Sequence, residues 1–169
     1  PSGELSNVLL SLDQRWLFLV ENKGKVEVLD LRNPASEMRV HIADVADAET
    51  HITVSDFLLG GFSLLIADDS GRINQWFIAY NDNNKPYLAN VRTLTLVEGV
   101  AITSLQTEHR RKGFIAGDAE GNIGLFNTTA DREVADEQVA QTAIDWIAMS
   151  PRGNTMVFKA EGDAPRNYH

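Results

Sequence analysis

The chain has 169 residues, a length that fits one ordinary domain with a sizeable core. Its 15 Lys and Arg against 24 Asp and Glu give a net charge of −9, which disfavours nucleic acid as a partner because the chain offers no general basic surface to phosphate. The absence of cysteine excludes a disulfide framework, a thiol nucleophile and a thiolate metal site, and the longest apolar runs are too short to span a bilayer.

A repeated segment organises the chain. Its plan is an apolar run, a polar turn that ends in glycine, one further polar residue and a second apolar run. It occurs at residues 16–29, 63–76 and 113–126, with the turn glycines at Gly24, Gly71 and Gly121. Glycine adopts the positive φ of a tight hairpin turn without a steric cost. Each segment is therefore predicted to be a β-hairpin.

Further strands are predicted on both sides of each hairpin. Short apolar runs precede the hairpins at 8–10, 52–54 and 102–105, and a fourth lies at 144–149. Looser runs follow the hairpins at 38–42, 87–96 and 133–139, with the period of two that is typical of half-exposed strands. A helix over 133–146 is disfavoured because its apolar residues form no sustained helical stripe.

Four strands in a unit of about 45 to 50 residues are typical of a β-propeller blade. The units are predicted at approximately 5–42, 50–97, 100–140 and 142–169, and the last ends after its second strand and turn. The predicted fold class is therefore all-β, a propeller-like arc of about three and a half four-stranded antiparallel blades. Trp16, Trp76 and Trp146 are expected to be buried between neighbouring blades.

The blade count predicts uncovered ends. A closed ring needs about four to eight blades, so this arc would leave apolar faces bare. We expect them to be covered by the remainder of a longer polypeptide or by a second copy, with a contact at the first unit or near Ile144 to Phe158. Because Pro1 stands where an initiator methionine would, the chain is expected to be cut from a longer protein.

A search for catalytic chemistry finds no phosphate-binding glycine loop and no nucleophile elbow, so neither an enzyme nor a cofactor is predicted. His41 and His51 lie near acidic residues and suggest a metal site, but they lack ligand spacing, so an acidic surface loop is favoured.

One basic cluster stands out in this acidic chain: His109, Arg110, Arg111 and Lys112. It is predicted to lie in the turn between the first two strands of the third unit. Four adjacent basic side chains suit an anionic partner, either a lipid headgroup or an acidic protein. The alternative is a solvated loop that keeps a hairpin end in water.

The repeats resemble divergent WD-type units. The segments 28–30, 75–77 and 125–127 stand where that family's Trp-Asp pair would end the third strand, although no unit keeps the full pair. More specifically, residues 10–17 and 24–35 resemble the large insertion in some bacterial phosphate-specific ABC-transporter permeases.

The permease resemblance implies a non-catalytic domain on the periplasmic side of an inner-membrane protein, acting as a docking or regulatory module in phosphate uptake. Its implied partners are a periplasmic phosphate-binding protein and other transporter subunits, and the resemblance carries over no site residues. The alternative is a generic WD-like propeller scaffold for protein partners, including a cytoplasmic one.

Overall fold

The computed structural model describes residues 3–34, 39–47, 49–129 and 132–168, and these ranges contain fifteen β-strands and no helix. In chain order the strands are β1 (Leu5–Leu10), β2 (Trp16–Glu21), β3 (Lys25–Asp30), β4 (Arg39–Asp44), β5 (Ile52–Phe57), β6 (Ser63–Asp68), β7 (Arg72–Tyr80), β8 (Pro86–Thr95), β9 (Ile102–Thr107), β10 (Gly113–Asp118), β11 (Asn122–Asn127), β12 (Arg132–Gln138), β13 (Ile144–Met149), β14 (Met156–Ala160) and β15 (Arg166–Tyr168). Within the described ranges, no helix has the length and apolar character needed to cross a membrane.

The strands form four antiparallel sheets, each built from consecutive strands. Blade 1 contains β1–β4, blade 2 contains β5–β8, blade 3 contains β9–β12 and blade 4 contains β13–β15. The innermost strands β1, β5, β9 and β13 contact one another in that order, which arranges the sheets as a four-blade β-propeller arc. The predicted fold class is confirmed.

The last blade has one strand more than the sequence analysis predicted. β15 pairs with β14 through Tyr168 opposite Met156, Asn167 opposite Val157 and Arg166 opposite Phe158. The strand was missed because it is short and polar, so neither apolar alternation nor β-propensity marks it.

The core consists of three apolar clusters, one in each space between successive blades. The largest fully buried side chains include Phe18 and Val28 between blades 1 and 2, Phe114 and Phe126 between blades 2 and 3, and Ile144 between blades 3 and 4. Alternation along a strand sends successive side chains to opposite faces, so the central strands of blades 2 and 3 each supply two clusters.

The three predicted hairpin turns are confirmed. Gly24, Gly71 and Gly121 have φ of 80°, 87° and 83°, the left-handed conformation that the turns require. Buried carboxylates complete two of these turns. Asp68 Oδ1 accepts hydrogen bonds from the backbone N–H groups of residues 70 and 72, and Asp118 Oδ1 accepts from those of residues 120 and 122.

The tryptophan prediction holds for only part of the set. Trp16 is buried, and Trp76 is half-buried against the cluster between blades 1 and 2. The prediction for Trp146 is wrong, since this side chain is 39% exposed. A register shift between Ile144 and Trp146 directs Ile147 toward blade 3, and Trp146 lies on the other face of blade 4, where no further described blade packs.

Candidate functional site

The turns alternate between two rims of the arc because every strand pair is antiparallel. We call the rim that carries the β1–β2, β5–β6, β9–β10 and β13–β14 turns the lower rim, and the rim with the hairpin glycines the upper rim. The four lower-rim turns are equivalent, since each is closed by a hydrogen bond from a backbone N–H to the carbonyl five residues later. The donor and acceptor residues are Ser11 and Trp16, Leu58 and Ser63, Glu108 and Gly113, and Ser150 and Thr155, all at 2.9 Å.

The predicted basic cluster forms the lower-rim turn of blade 3, and it departs from the other three turns. Gln14, Gly61 and Gly153 occupy the fourth position of those turns with φ of 57°, 65° and 70°. Arg111 occupies that position in blade 3 and is not among the described residues with positive φ. Its Nε lies 3.2 Å from Glu108 Oε2 instead, so a side-chain ion pair spans this turn.

The base of the basic loop is held in place. The Glu108 side chain is only 12% exposed, and a Cβ atom at Gly113 would lie 2.6 Å from its Oε1, so the carboxylate sits against glycine backbone. The Lys112 carbonyl accepts hydrogen bonds from Thr128 N at 3.0 Å and Thr128 Oγ1 at 2.6 Å. The basic side chains at 109–112 are all exposed above this fixed base.

An apolar cavity of about 240 Å³ opens beside the basic loop, between blades 3 and 4. We call it the loop cavity. Glu108 and Arg111 form its edge, and Met149, Met156 and Tyr168 are among its apolar and aromatic walls. Methionine side chains adapt to the shape of an apolar ligand. Sequence reasoning missed this cavity because its walls come from two separate sheets.

A wall of the loop cavity is also polar. The hydroxyl of Tyr168 donates a hydrogen bond to Glu137 Oε2 at 2.9 Å, and burial raises the pKa of this tyrosine. Tyr168 therefore contributes an apolar ring to the cavity wall, while its hydroxyl is held by Glu137.

A second cavity of about 360 Å³ lies between blades 1 and 2 on the same rim. Trp16, Phe62, Phe77 and Tyr80 are among its walls, and Phe62 is exposed. Arg15 borders this cavity with its guanidinium 4.3 Å from the centre of the Trp16 ring. The lower rim therefore has an aromatic end and a basic end.

Arg15 forms a structural ion pair with Asp30. Its Nε and Nη2 donate hydrogen bonds to Asp30 Oδ2 at 3.1 and 2.7 Å. These hydrogen bonds hold the pKa of Asp30 below its ordinary value, while burial of the carboxyl acts in the opposite direction.

Replacing Asp30 by asparagine should remove about 1 to 3 kcal/mol of stability at pH 7, because a buried charge-assisted hydrogen bond is lost. A lowered folded-state pKa stabilises the protein fully above the unfolded value of about 3.9, and this contribution disappears as the pH falls through the folded pKa. Urea unfolding of both proteins between pH 7 and pH 3 should show the difference shrinking with acidification. A pH-independent difference would contradict this assignment.

The two histidines considered as metal ligands, His41 and His51, do not form a site in the described part of the chain. His51 Nδ1 lies 3.2 Å from Asp69 Oδ2, an exposed pair on the upper rim. The side chain of His41 lies outside the described residues. Within the described ranges, no three His, Asp or Glu side chains are grouped so that they could hold a metal ion.

The sequence matches no protein-family model and no curated protein. The structure is similar to solved β-propellers. The β-propeller domain of Cps50 (Swd1) from Myceliophteria thermophila gives a TM-score of 0.76 at 12% identity, over 95% of this chain and 49% of that one. Sqt1 from Chaetomium thermophilum, bound to the N-terminus of the ribosomal protein L10, gives a TM-score of 0.79 at 12% identity, over 99% of this chain and 47% of that one.

The chain thus spans about half the length of the two propellers it matches. At this identity the similarity establishes the fold, and it agrees with the broad resemblance to WD-type propellers. Neither solved structure is described as part of a transporter.

Proposed function

We propose that this chain is a non-catalytic scaffold that binds a protein partner through the lower rim, with the basic loop and the loop cavity as the contact. The observation that carries the proposal is the position of Arg111, which belongs to both features. A single ligand could therefore form ion pairs with the exposed basic cluster and bury an apolar group in the cavity beside it. The positive charge is local, since the chain as a whole has a net charge of −9.

The chemistry of this surface favours an acidic peptide segment with an apolar anchor. Carboxylates of such a segment would pair with His109, Arg110 and Lys112, which are exposed. Its apolar side chain would enter the cavity and pack on the wall that Met149 and Met156 form. Anchors that fill apolar pockets supply most of the binding energy in protein interfaces, while rim charges set association rate and salt dependence.

A protein partner fits better than an anionic membrane. The net charge of −9 repels a negatively charged bilayer as a whole, and a flat headgroup surface would leave the cavity empty. The solved structure of Sqt1 bound to the N-terminus of a ribosomal protein supports the ability of this fold to hold a peptide.

The proposal is tested with fluorescein-labelled peptides that carry a central Leu-Phe pair flanked by Asp and Glu. Anisotropy titrations should show binding that weakens as salt is added, because exposed charge pairs are screened. Changing Arg110 and Lys112 together to glutamate should weaken binding by at least about tenfold. Ala135→Phe, which fills the loop cavity from an exposed position on strand β12, should also weaken the binding.

Matched controls lie on the upper rim. Lys23→Glu makes the same type of charge change in the β2–β3 turn, and Ala119→Phe adds the same ring in the β10–β11 turn; both positions are exposed. Neither should alter binding. Peptides with lysine in place of the acidic residues should not bind. Equal binding by all variants, or equal binding of the lysine peptides, would leave a solvated loop as the better interpretation.

The docking or regulatory role in a phosphate permease remains a prediction of the sequence resemblance alone. A lower-rim site for an acidic protein segment is compatible with a docking module in any compartment. Isothermal titration with a periplasmic phosphate-binding protein would test the permease role directly, and the charge-reversed loop variant would serve as its control.

A further inference from the structure

The face of blade 1 that points away from blade 2 is apolar, and no other described blade covers it. It carries five aliphatic side chains from the three inner strands, namely Val8, Leu10, Leu17, Leu19 and Leu29. Val8 and Leu10 are 51% and 47% exposed, and the other three are half-buried. A contiguous aliphatic sheet face of this kind normally marks a protein contact.

The equivalent positions in the other three blades indicate the role of this face. Counted from the equivalent lower-rim turns, Leu17 and Leu19 correspond to Leu64 and Ile66 in blade 2, to Phe114 and Ala116 in blade 3, and to Met156 and Phe158 in blade 4. All six counterparts are buried, and each pair packs toward the preceding blade. Blade 1 therefore presents a blade-packing face that no other blade of the described structure covers.

Blade 4 presents the complementary face at the other end. Val157 and Lys159 correspond to Phe18 and Val20, which pack from blade 1 onto the following blade. Beside them, Trp146 is 39% exposed and Ala148 is exposed. No blade in the described residues packs on this face, so both ends of the described arc are open.

Each open face also carries one ion pair. Arg39 pairs with Glu27 on the face of blade 1, and Lys159 pairs with Asp145 on blade 4. Each of these ion pairs forms within its own face, so a surface placed against either face would meet charges that are already paired.

We infer that a second copy of this chain covers both ends, with blade 4 of each copy packed on blade 1 of the other. The arc spans 49% of a solved β-propeller domain and 47% of a second propeller protein, so one copy corresponds to about half a ring. Two copies related by a twofold axis along the ring axis would form a closed ring. This ring would contain two identical joints, each between blade 4 of one copy and blade 1 of the other. Each joint should bury more than about 1,000 Å², the area of a stable interface.

Closure by a second copy is tested by sedimentation velocity at about 100 µM, where a compact dimer is expected. Val8→Glu places a charge on the blade 1 face and should convert the dimer to a monomer. Val91→Glu is the matched control because Val91 is 42% exposed on the outer strand of blade 2, and this variant should remain dimeric. Both positions are exposed, so circular dichroism should show folded proteins in each case.

The pairing of unlike faces has its own test. Trp146→Lys should also give a monomer, and mixing it with the Val8→Glu variant should restore a dimer with one native joint and one joint of opposite charges. A dimer that survives Trp146→Lys would show like faces in contact and overturn the ring. A wild-type chain that stays monomeric at this concentration would also overturn it, and would assign the open faces to a different partner or to further residues of a longer chain.

Discussion

Replacing Trp16 by alanine should lower the free energy of unfolding by about 3 to 5 kcal/mol, because it opens a cavity in the core between blades 1 and 2. The ring is 5% exposed and belongs to the cluster that contains Phe18, Val28 and Leu64. Its loss also removes the surface on which the Arg15 guanidinium lies. Urea unfolding followed by circular dichroism measures the difference without relying on tryptophan emission.

Trp146→Ala is the matched control for that measurement. The same side chain is removed, but Trp146 is 39% exposed on the open face of blade 4. A surface truncation of this kind should cost below about 1 kcal/mol in the monomer. Both truncations are made in the Val8→Glu background so that dimerisation does not contribute. Equal losses at the two positions would contradict the arrangement of the blades.

Replacing Gly71 by alanine should cost about 3 kcal/mol, the second large effect we expect. Gly71 has φ of 87°, and a Cβ atom there would lie 2.0 Å from the carbonyl oxygen of Val97 and 2.9 Å from that of Val100. Both contacts are with backbone, which cannot rotate away. The substitution therefore combines backbone strain with a steric clash between the hairpin turn and the connection to blade 3.

Gly99→Ala separates the two contributions. Gly99 has a similar φ of 79°, but a Cβ atom there meets nothing within 4 Å. Only the strain of a left-handed conformation should remain, about 1 kcal/mol. Urea unfolding of both variants should show the larger loss at Gly71. Equal losses would mean that strain alone explains both and that the upper-rim turn has room to move.

Several features of this protein were predictable from the sequence because they depend on residues that are neighbours in the chain. The hairpins at Gly24, Gly71 and Gly121 required only alternating apolar strands and a glycine at the turn. Their recurrence at nearly constant spacing predicted the propeller arc. The basic loop at 109–112 could be placed in the third blade for the same reason.

Burial could not be predicted in the same way, because a sheet face is buried only when another sheet packs on it. Leu17 and Leu19 follow the same local pattern as Leu64 and Ile66, yet within the described structure only the second pair packs on a preceding blade. Trp146 is a large aromatic residue of the kind usually found in a core, but the register shift at β13 places it on the open face of blade 4. Local sequence contains no information about which blades are neighbours at the ends of the arc.

The loop cavity shows the same division. The charge of the basic loop was visible in four consecutive residues, whereas the cavity beside it brings together Ile115 from β10, Met149 from β13 and Tyr168 from β15. No sequence spacing links these residues, since their proximity results from the packing of blade 4 on blade 3. The sequence alone determined the blades and their turns; the packing between blades decided which surfaces are buried, which form the cavity and which remain open.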